Sequence, residues 1–334
     1  MSAATRPRDA LFDVGEAAPN LPVCDHYCGV EARMRKSLAL QSELGPVFDV
    51  TLDCEDGAAI GNEAEHAHCV AELALSPLNR HGRVGARVHP VDHPSFLPDL
   101  DTLIGRAGDK LAYLMVPKAR SLADVQRSCE RIDQVAAAHA LHRPIPVHAL
   151  IETHGALRDV QAIAAHPRIE SLSFGLMDFV SAHRGAIDAV GMSASGQFSH
   201  PLVVRAKLEI AAACHAFGKT PSHCVVTEFR NATALTAAAR KARNELGFTR
   251  MWSIHPDQVR PIVAAFAPDP AEVDTAIEII TAAQAADWAP IRHRDTLHDR
   301  ASYRYFWHVI ERAHRTGAAQ AAEIGRVWFA TGST

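Results

Sequence analysis

The chain has 334 residues, 48% of them hydrophobic, with 34 Lys and Arg against 38 Asp and Glu and a formal net charge of -4. A near-balanced charge with no basic block argues against a nucleic-acid partner, because phosphate backbones are gripped by clustered Lys and Arg. No run approaches the roughly 20 apolar residues that span a bilayer, and Arg6, Arg8 and Asp9 stand where a signal peptide is apolar; the expectation is a cytoplasmic protein with no membrane anchor.

Short apolar or β-branched runs alternate with helical patterns from about residue 22 to residue 265. A weak first strand falls near Leu21–Tyr27. Clearer ones follow at Val47–Asp53, Val84–His89, Leu111–Pro117, Val147–Glu152, Leu172–Gly175, Cys224–Phe229 and Met251–His255. Between them, Asn62–Leu75, Leu122–His139, Ala156–Ala165 and Val203–Phe217 carry apolar residues at helical spacing, with Gly218 placed to stop the last. Strand–helix alternation implies parallel strands joined by crossovers, and eight such units predict a (β/α)8 TIM barrel. The tail differs: a Pro-rich break at Ala267–Pro270, a helix over Ala271–Ala286, a polar stretch Arg292–Arg300 and a last helix over Ser302–Arg326. The expected organisation is a catalytic barrel over residues 1–266 and a helical arm or lid over 267–334, packing on a neighbouring subunit or, as an equal alternative, beneath the barrel.

The seven cysteines, Cys24, Cys28, Cys54, Cys69, Cys129, Cys214 and Cys224, form no CxxC pair. They read as reduced thiols of the cytosol. Cys24 and Cys28 bracket Asp25 and His26, but no second pair completes a zinc set.

Almost every predicted strand ends in a charged or metal-capable side chain: Glu55 and Asp56, Arg87 and His89, Lys118, Glu152, Asp178, Glu228 and His255. With apolar strand interiors, these groups gather at the C-terminal mouth of the ring, where barrel active sites are built.

In order along the chain, Leu52-Asp53-Cys54-Glu55-Asp56-Gly57, Arg87-Val88-His89-Pro90, Val116-Pro117-Lys118, Leu150-Ile151-Glu152-Thr153, Gly175-Leu176-Met177-Asp178 and Ile254-His255-Pro256 resemble the citrate lyase β-subunit and malyl-CoA lyase group of the HpcH/HpaI aldolase family, over residues 22 to 310. The resemblance implies a Mg2+-dependent carbon–carbon lyase (Mn2+ as an alternative) with Glu152 and Asp178 as metal ligands. Arg87 would stabilise the enolate oxygen, and Glu55 would orient Arg87 or a metal-bound water. Asp56 would secure its loop through backbone hydrogen bonds. Lys118, His89 and His255 would line the substrate, with a rim lysine and a structural histidine as alternatives for Lys118 and His255. Asp299, in Leu297-His298-Asp299, would be the acid that protonates the enolate, reaching into a neighbouring subunit of a homotrimer or hexamer. The chain departs from the pattern in two places: His26-Tyr27-Cys28-Gly29-Val30 replaces a Val-Pro-Gly loop, and Arg87-Val88-His89 replaces Arg-Ile-Asn. No clear basic pocket for the coenzyme A phosphates stands out, although Arg33, Arg35 and Lys36 lie in a suitable place. The expected substrate is a β-hydroxyacyl-CoA cleaved into a keto acid and an acyl-CoA. The rivals are an aldolase acting on free hydroxy-keto acids and a non-catalytic ligand-binding or accessory subunit.

Overall fold

The β-forming runs pair edge to edge in chain order. The computed structural model describes residues 6–13, 21–318 and 328–329. Its strands are β1 (Cys24–Cys28), β2 (Phe48–Asp53), β3 (Val84–Arg87), β4 (Leu111–Val116), β5 (Val147–Ile151), β6 (Ile169–Phe174), β7 (Thr220–His223) and β8 (Arg250–Ser253). All pair in parallel, and β8 returns to β1 through Cys24↔Met251 and His26↔Ser253, closing the barrel. Parallel neighbours cannot be joined by a tight turn, so helices such as Glu63–Leu75 and Leu122–Ala138 carry the chain back. The TIM-barrel expectation holds.

The barrel interior is layered. Toward the strand starts, fully buried Arg250 contacts Asp49 at 2.6 Å and Asp25 at 3.1 Å and donates to the Pro22 carbonyl at 2.8 Å. The Thr51 and Tyr113 hydroxyls donate to Asp25 at 2.7 and 3.0 Å. Buried charges persist only when paired and hydrogen-bonded in this way. Two residues further along β1 and β8 the layer turns apolar: Tyr27, Met115, Leu150, Val225 and Trp252 form one buried cluster, with Met177 packed against it.

Three predicted elements are corrected. The seventh strand is Thr220–His223 and not Cys224–Phe229. Its place is fixed by register, Ser171↔Thr220 on one side and Ser222↔Arg250 on the other, while the more β-prone Cys224-Val225-Val226 lies past the ladder and is buried above it. The helix expected over Ala156–Ala165 is two, His154–Arg158 and Val160–Ala165, broken where the Asp159 carboxylate accepts the Leu122 N–H at 3.0 Å. Within the polar stretch, Ile291–His293 and Thr296–His298 form an antiparallel hairpin.

The chain divides into two compact units, residues 19–265 and residues 1–18 together with 266–334. In the second, helices Pro270–Ala285 and Arg300–Arg315 bury Val273, Ile280, Trp307 and Ile310 in a common core with Leu11 of the short helix Pro7–Leu11. The last helix stops at Arg315, before Gly317 at φ +71°; most of its predicted continuation to Arg326 lies outside the described residues.

Candidate active site

The segment after β2 organises one half of the site. Asp53, 2% exposed, accepts Arg87 Nε at 2.7 Å on Oδ1 and Arg87 Nη2 on Oδ2. The same carboxylate accepts the backbone N–H of Glu55 at 3.0 Å and of Gly57 at 2.8 Å. A Cβ at position 57 would stand 2.2 Å from Asp53 Oδ2, so the turn needs glycine there. Loop anchoring therefore belongs to Asp53. Asp56, expected to do it, instead takes Lys118 Nζ at 2.7 Å, which outweighs partial burial and lowers its pKa.

Arg87 ends β3 and is 8% exposed. Beyond Asp53, its Nη1 meets Glu55 Oε2 at 3.1 Å, and its guanidinium lies 5.5 Å above the Tyr27 ring. Burial disfavours the charge, but the Asp53 and Glu55 carboxylates overcome it and hold Arg87 protonated. Lys118 Nζ reaches the other Glu55 oxygen at 2.5 Å, so Glu55 bridges two cations. Lys118 itself adopts φ +50°, a conformation costing roughly 1 kcal/mol for a residue with a Cβ. It sits where the Lys118 N–H donates to Glu152 Oε1 at 2.6 Å.

Glu152 follows β5 and is 3% exposed. Burial, then the charge of Asp178, pushes its pKa up to about 8. Asp178 is half-buried in the first turn of the helix Leu176–Ser181. A Cβ on Gly175, at the cap of that helix, would meet Glu152 Oε2 at 2.2 Å, so only glycine lets the two segments converge. Neither carboxylate has an ion-pair partner among the described residues. Two converging carboxylates without a basic counter-ion fit a hard cation, which prefers oxygen ligands. Among the described residues no cluster of three or more His, Cys, Asp or Glu side chains could hold a metal, so the pair would leave the remaining positions to water and substrate oxygens.

The other expected residues divide. His255 lines the cleft, stacked 4.9 Å from the Phe229 ring. His89 is turned to a different partner: its Nδ1 lies 2.6 Å from Asp99, which is 1% exposed and also accepts the His89 N–H at 3.0 Å. Burial lowers the His89 pKa, but Asp99 more than compensates and the net shift is upward. Glu228 falls in the loop after β7 and accepts the Ala194 N–H at 2.9 Å. Asp299 belongs to the second unit, where its carboxylate caps helix Arg300–Arg315 by accepting the Ala301 and Ser302 N–H groups.

The cleft of about 910 Å³ over β1, β7 and β8 includes Asp53, Asp56, Arg87, Tyr27 and Trp252 in its lining. Its rim carries exposed Val30, Phe229 and Ile254, with the cations Arg33, Lys36 and Arg230 beside them. Sequence reasoning missed Asp53, Asp99, Tyr27, Trp252 and Arg230. Asp53 alone left a signal, an aspartate four residues before a glycine at a strand end. The others are recognisable only by what they touch.

Comparison with known proteins identifies the family. Residues 43–256 match the HpcH/HpaI aldolase/citrate lyase family. An L-malyl-CoA/beta-methylmalyl-CoA lyase of Cereibacter sphaeroides is 30% identical over 249 residues, 71% of this chain and 77% of that one. The crystal structure of a citrate lyase from Burkholderia xenovorans LB400 is 53% identical and superposes with a TM-score of 0.83, covering 96% of this chain and all of that one. CitE from Mycobacterium tuberculosis in complex with magnesium, acetoacetate and coenzyme A shares the fold at 21% identity, with a TM-score of 0.66 over 88% of this chain and 98% of that one. The chain belongs to the HpcH/HpaI aldolase/citrate lyase family and is a carbon–carbon lyase.

Proposed function

We propose that the enzyme is a Mg2+-dependent lyase that cleaves a short β-hydroxyacyl-CoA, of the malyl-, citramalyl- or citryl-CoA kind, into an α-keto acid and an acyl-CoA. The observation that carries this is a clamped arginine, Arg87, set in the same barrel mouth as two carboxylates that have no ion-pair partner among the described residues, Glu152 and Asp178.

Bound between those carboxylates, Mg2+ would supply Lewis-acid polarisation of the keto acid oxygens. The protein does the rest. As the hydroxyl proton passes to solvent water and the C–C bond breaks, the electron pair passes to the acyl α-carbon and negative charge grows on the thioester oxygen. Arg87, fixed before the reaction by Asp53 and Glu55, meets that charge without reorganising. A proton then returns to the α-carbon; Asp299 from a neighbouring subunit of a trimer or hexamer is the proposed donor. The apolar rim of Val30, Phe229 and Ile254 suits a pantetheine-like arm, and Arg33, Lys36 and Arg230 suit its phosphates. This rim favours the thioester over a free hydroxy acid.

Calorimetry with Mg2+ and oxaloacetate, glyoxylate or pyruvate tests the metal site. Metal-dependent binding in the wild type that disappears in Asp178→Ala supports the reading; no binding in the wild type removes it. Cleavage of malyl-CoA but not of a free 4-hydroxy-2-keto acid separates the thioester lyase from the free-acid aldolase.

A further inference from the structure

We propose that Tyr27 limits the length of the acyl group the site accepts, confining it to short thioesters. The inference rests on the lyase reading above.

Tyr27 is the last inward-facing residue of β1, two positions after Asp25 of the ionic layer. Its ring stacks on Trp252 of β8 with centroids 4.2 Å apart and planes 27° from parallel. Arg87 stands over the same ring at 5.5 Å, and the hydroxyl is aimed at Met115 Sδ. Both aromatic rings line the cleft, at 6% and 8% exposure, whereas Met115 and Leu150 of the same cluster are sealed beneath. Tyr27 is therefore the floor directly under the arginine that meets the reacting oxygen.

Strand order tells which half of the substrate lies on that floor. In a closed ring of eight, β1 and β8 stand across from β4 and β5. Glu152 follows β5 and Asp178 follows β6, so the keto acid is held on the far side. The cationic rim follows β1, through Arg33 and Lys36, and β7, through Arg230. A thioester entering past that rim reaches Arg87 across Tyr27 and Trp252, and its acyl chain points down at the Tyr27 ring. With the ring in place the chain meets a closed surface. With it removed, the apolar space above Met115 and Leu150 joins the cleft.

The test is condensation of acetyl-, propionyl- and butyryl-CoA, in the presence of Mg2+, with whichever of glyoxylate, pyruvate and oxaloacetate the wild type uses best, comparing wild type, Tyr27→Phe and Tyr27→Val. One methylene against an apolar wall is worth about tenfold or more in kcat/KM. The wild type should therefore fall at least about tenfold from acetyl- to butyryl-CoA. Tyr27→Val should raise the butyryl-to-acetyl ratio by about tenfold, and Tyr27→Phe, which keeps the ring, should leave the ratio near wild type. The ratio within one preparation is insensitive to the fraction folded. Should Tyr27→Val not fold, Tyr27→Leu is read in the same way. An active wild type with an unchanged ratio in the Val or Leu variant overturns the assignment of Tyr27 alone. A wild type that condenses none of the three thioesters with glyoxylate, pyruvate or oxaloacetate overturns the lyase reading and this inference with it.

Discussion

Asp53 and Arg87 meet face to face, two guanidinium nitrogens on two carboxylate oxygens, with Nε to Oδ1 at 2.7 Å, inside the mouth of the barrel. Planar two-point pairing fixes both the position and the rotation of the guanidinium, and Glu55 takes the third nitrogen. The arginine thus has one orientation before any substrate arrives, which electrostatic stabilisation of a transition state requires.

Asp53→Asn keeps the shape of the side chain and removes its charge and one acceptor site. Because Arg87 would still bind an oxygen but point less accurately, kcat should fall by roughly 10²-fold, the size seen when one preorganised donor is lost. KM for the thioester should change far less. Steady-state kinetics with malyl-CoA decide it: a rise in KM at unchanged kcat would assign Asp53 to ground-state binding.

Glu152 titrates near 8 in the folded, metal-free protein and near 4.5 when unfolded. Between those values the folded state holds the extra proton, so the unfolded state gains relative stability as pH rises through this window. Urea unfolding of the metal-free enzyme should show stability from this group present below about pH 4.5 and lost by about pH 8. Mg2+ needs the ionised form, so its apparent affinity should climb as pH approaches 8 and then level off. A pH-independent affinity between 6 and 8 would remove Glu152 from the ligand set.

Gly175→Ala places a methyl group where Glu152 Oε2 and Cβ now lie, 2.2 and 2.5 Å from the added carbon. Overpacking of this kind costs about 1–3 kcal/mol. The variant should melt lower and lose Mg2+-dependent keto acid binding in calorimetry.

Arg250→Met leaves Asp25 buried with its cation gone and Asp49 with only Arg83 among the described residues, at 3.3 Å. Breaking a buried network from one side costs about 3–5 kcal/mol, and chemical denaturation should show a loss of that size. Replacing all three together, with Asp25→Leu and Asp49→Leu added, should recover part of it, because apolar packing removes the stranded charges.

Arg33→Ala, Lys36→Ala and Arg230→Ala test the rim. Each should raise KM for the thioester by roughly 3- to 10-fold, the worth of one exposed charge on a phosphate, with a smaller effect at high salt. A change in kcat at unaltered KM would move these cations out of the binding role.

Periodicity and composition by themselves determined the architecture. Parallel strands require long crossovers, so alternating β-branched runs and amphipathic stretches admit few arrangements, and the strand ends then have to converge at one mouth. Glu55, Lys118, Glu152 and Asp178 were legible in that way, because charged residues at the C-terminal ends of apolar strands gather at that mouth. What sequence spacing could not decide was pairing. The register of β7 lies in its ladders to β6 and β8 and overrode the higher β-propensity of Cys224-Val225-Val226. Asp53 rather than Asp56 holds the loop because its carboxylate lies beneath Gly57 and against a guanidinium 34 positions away. His89 turns to Asp99, and Tyr27 comes to lie under Arg87, only once eight strands have closed into a ring. These are contacts between residues distant in the chain, set by three-dimensional distance, and only the tertiary structure decided them.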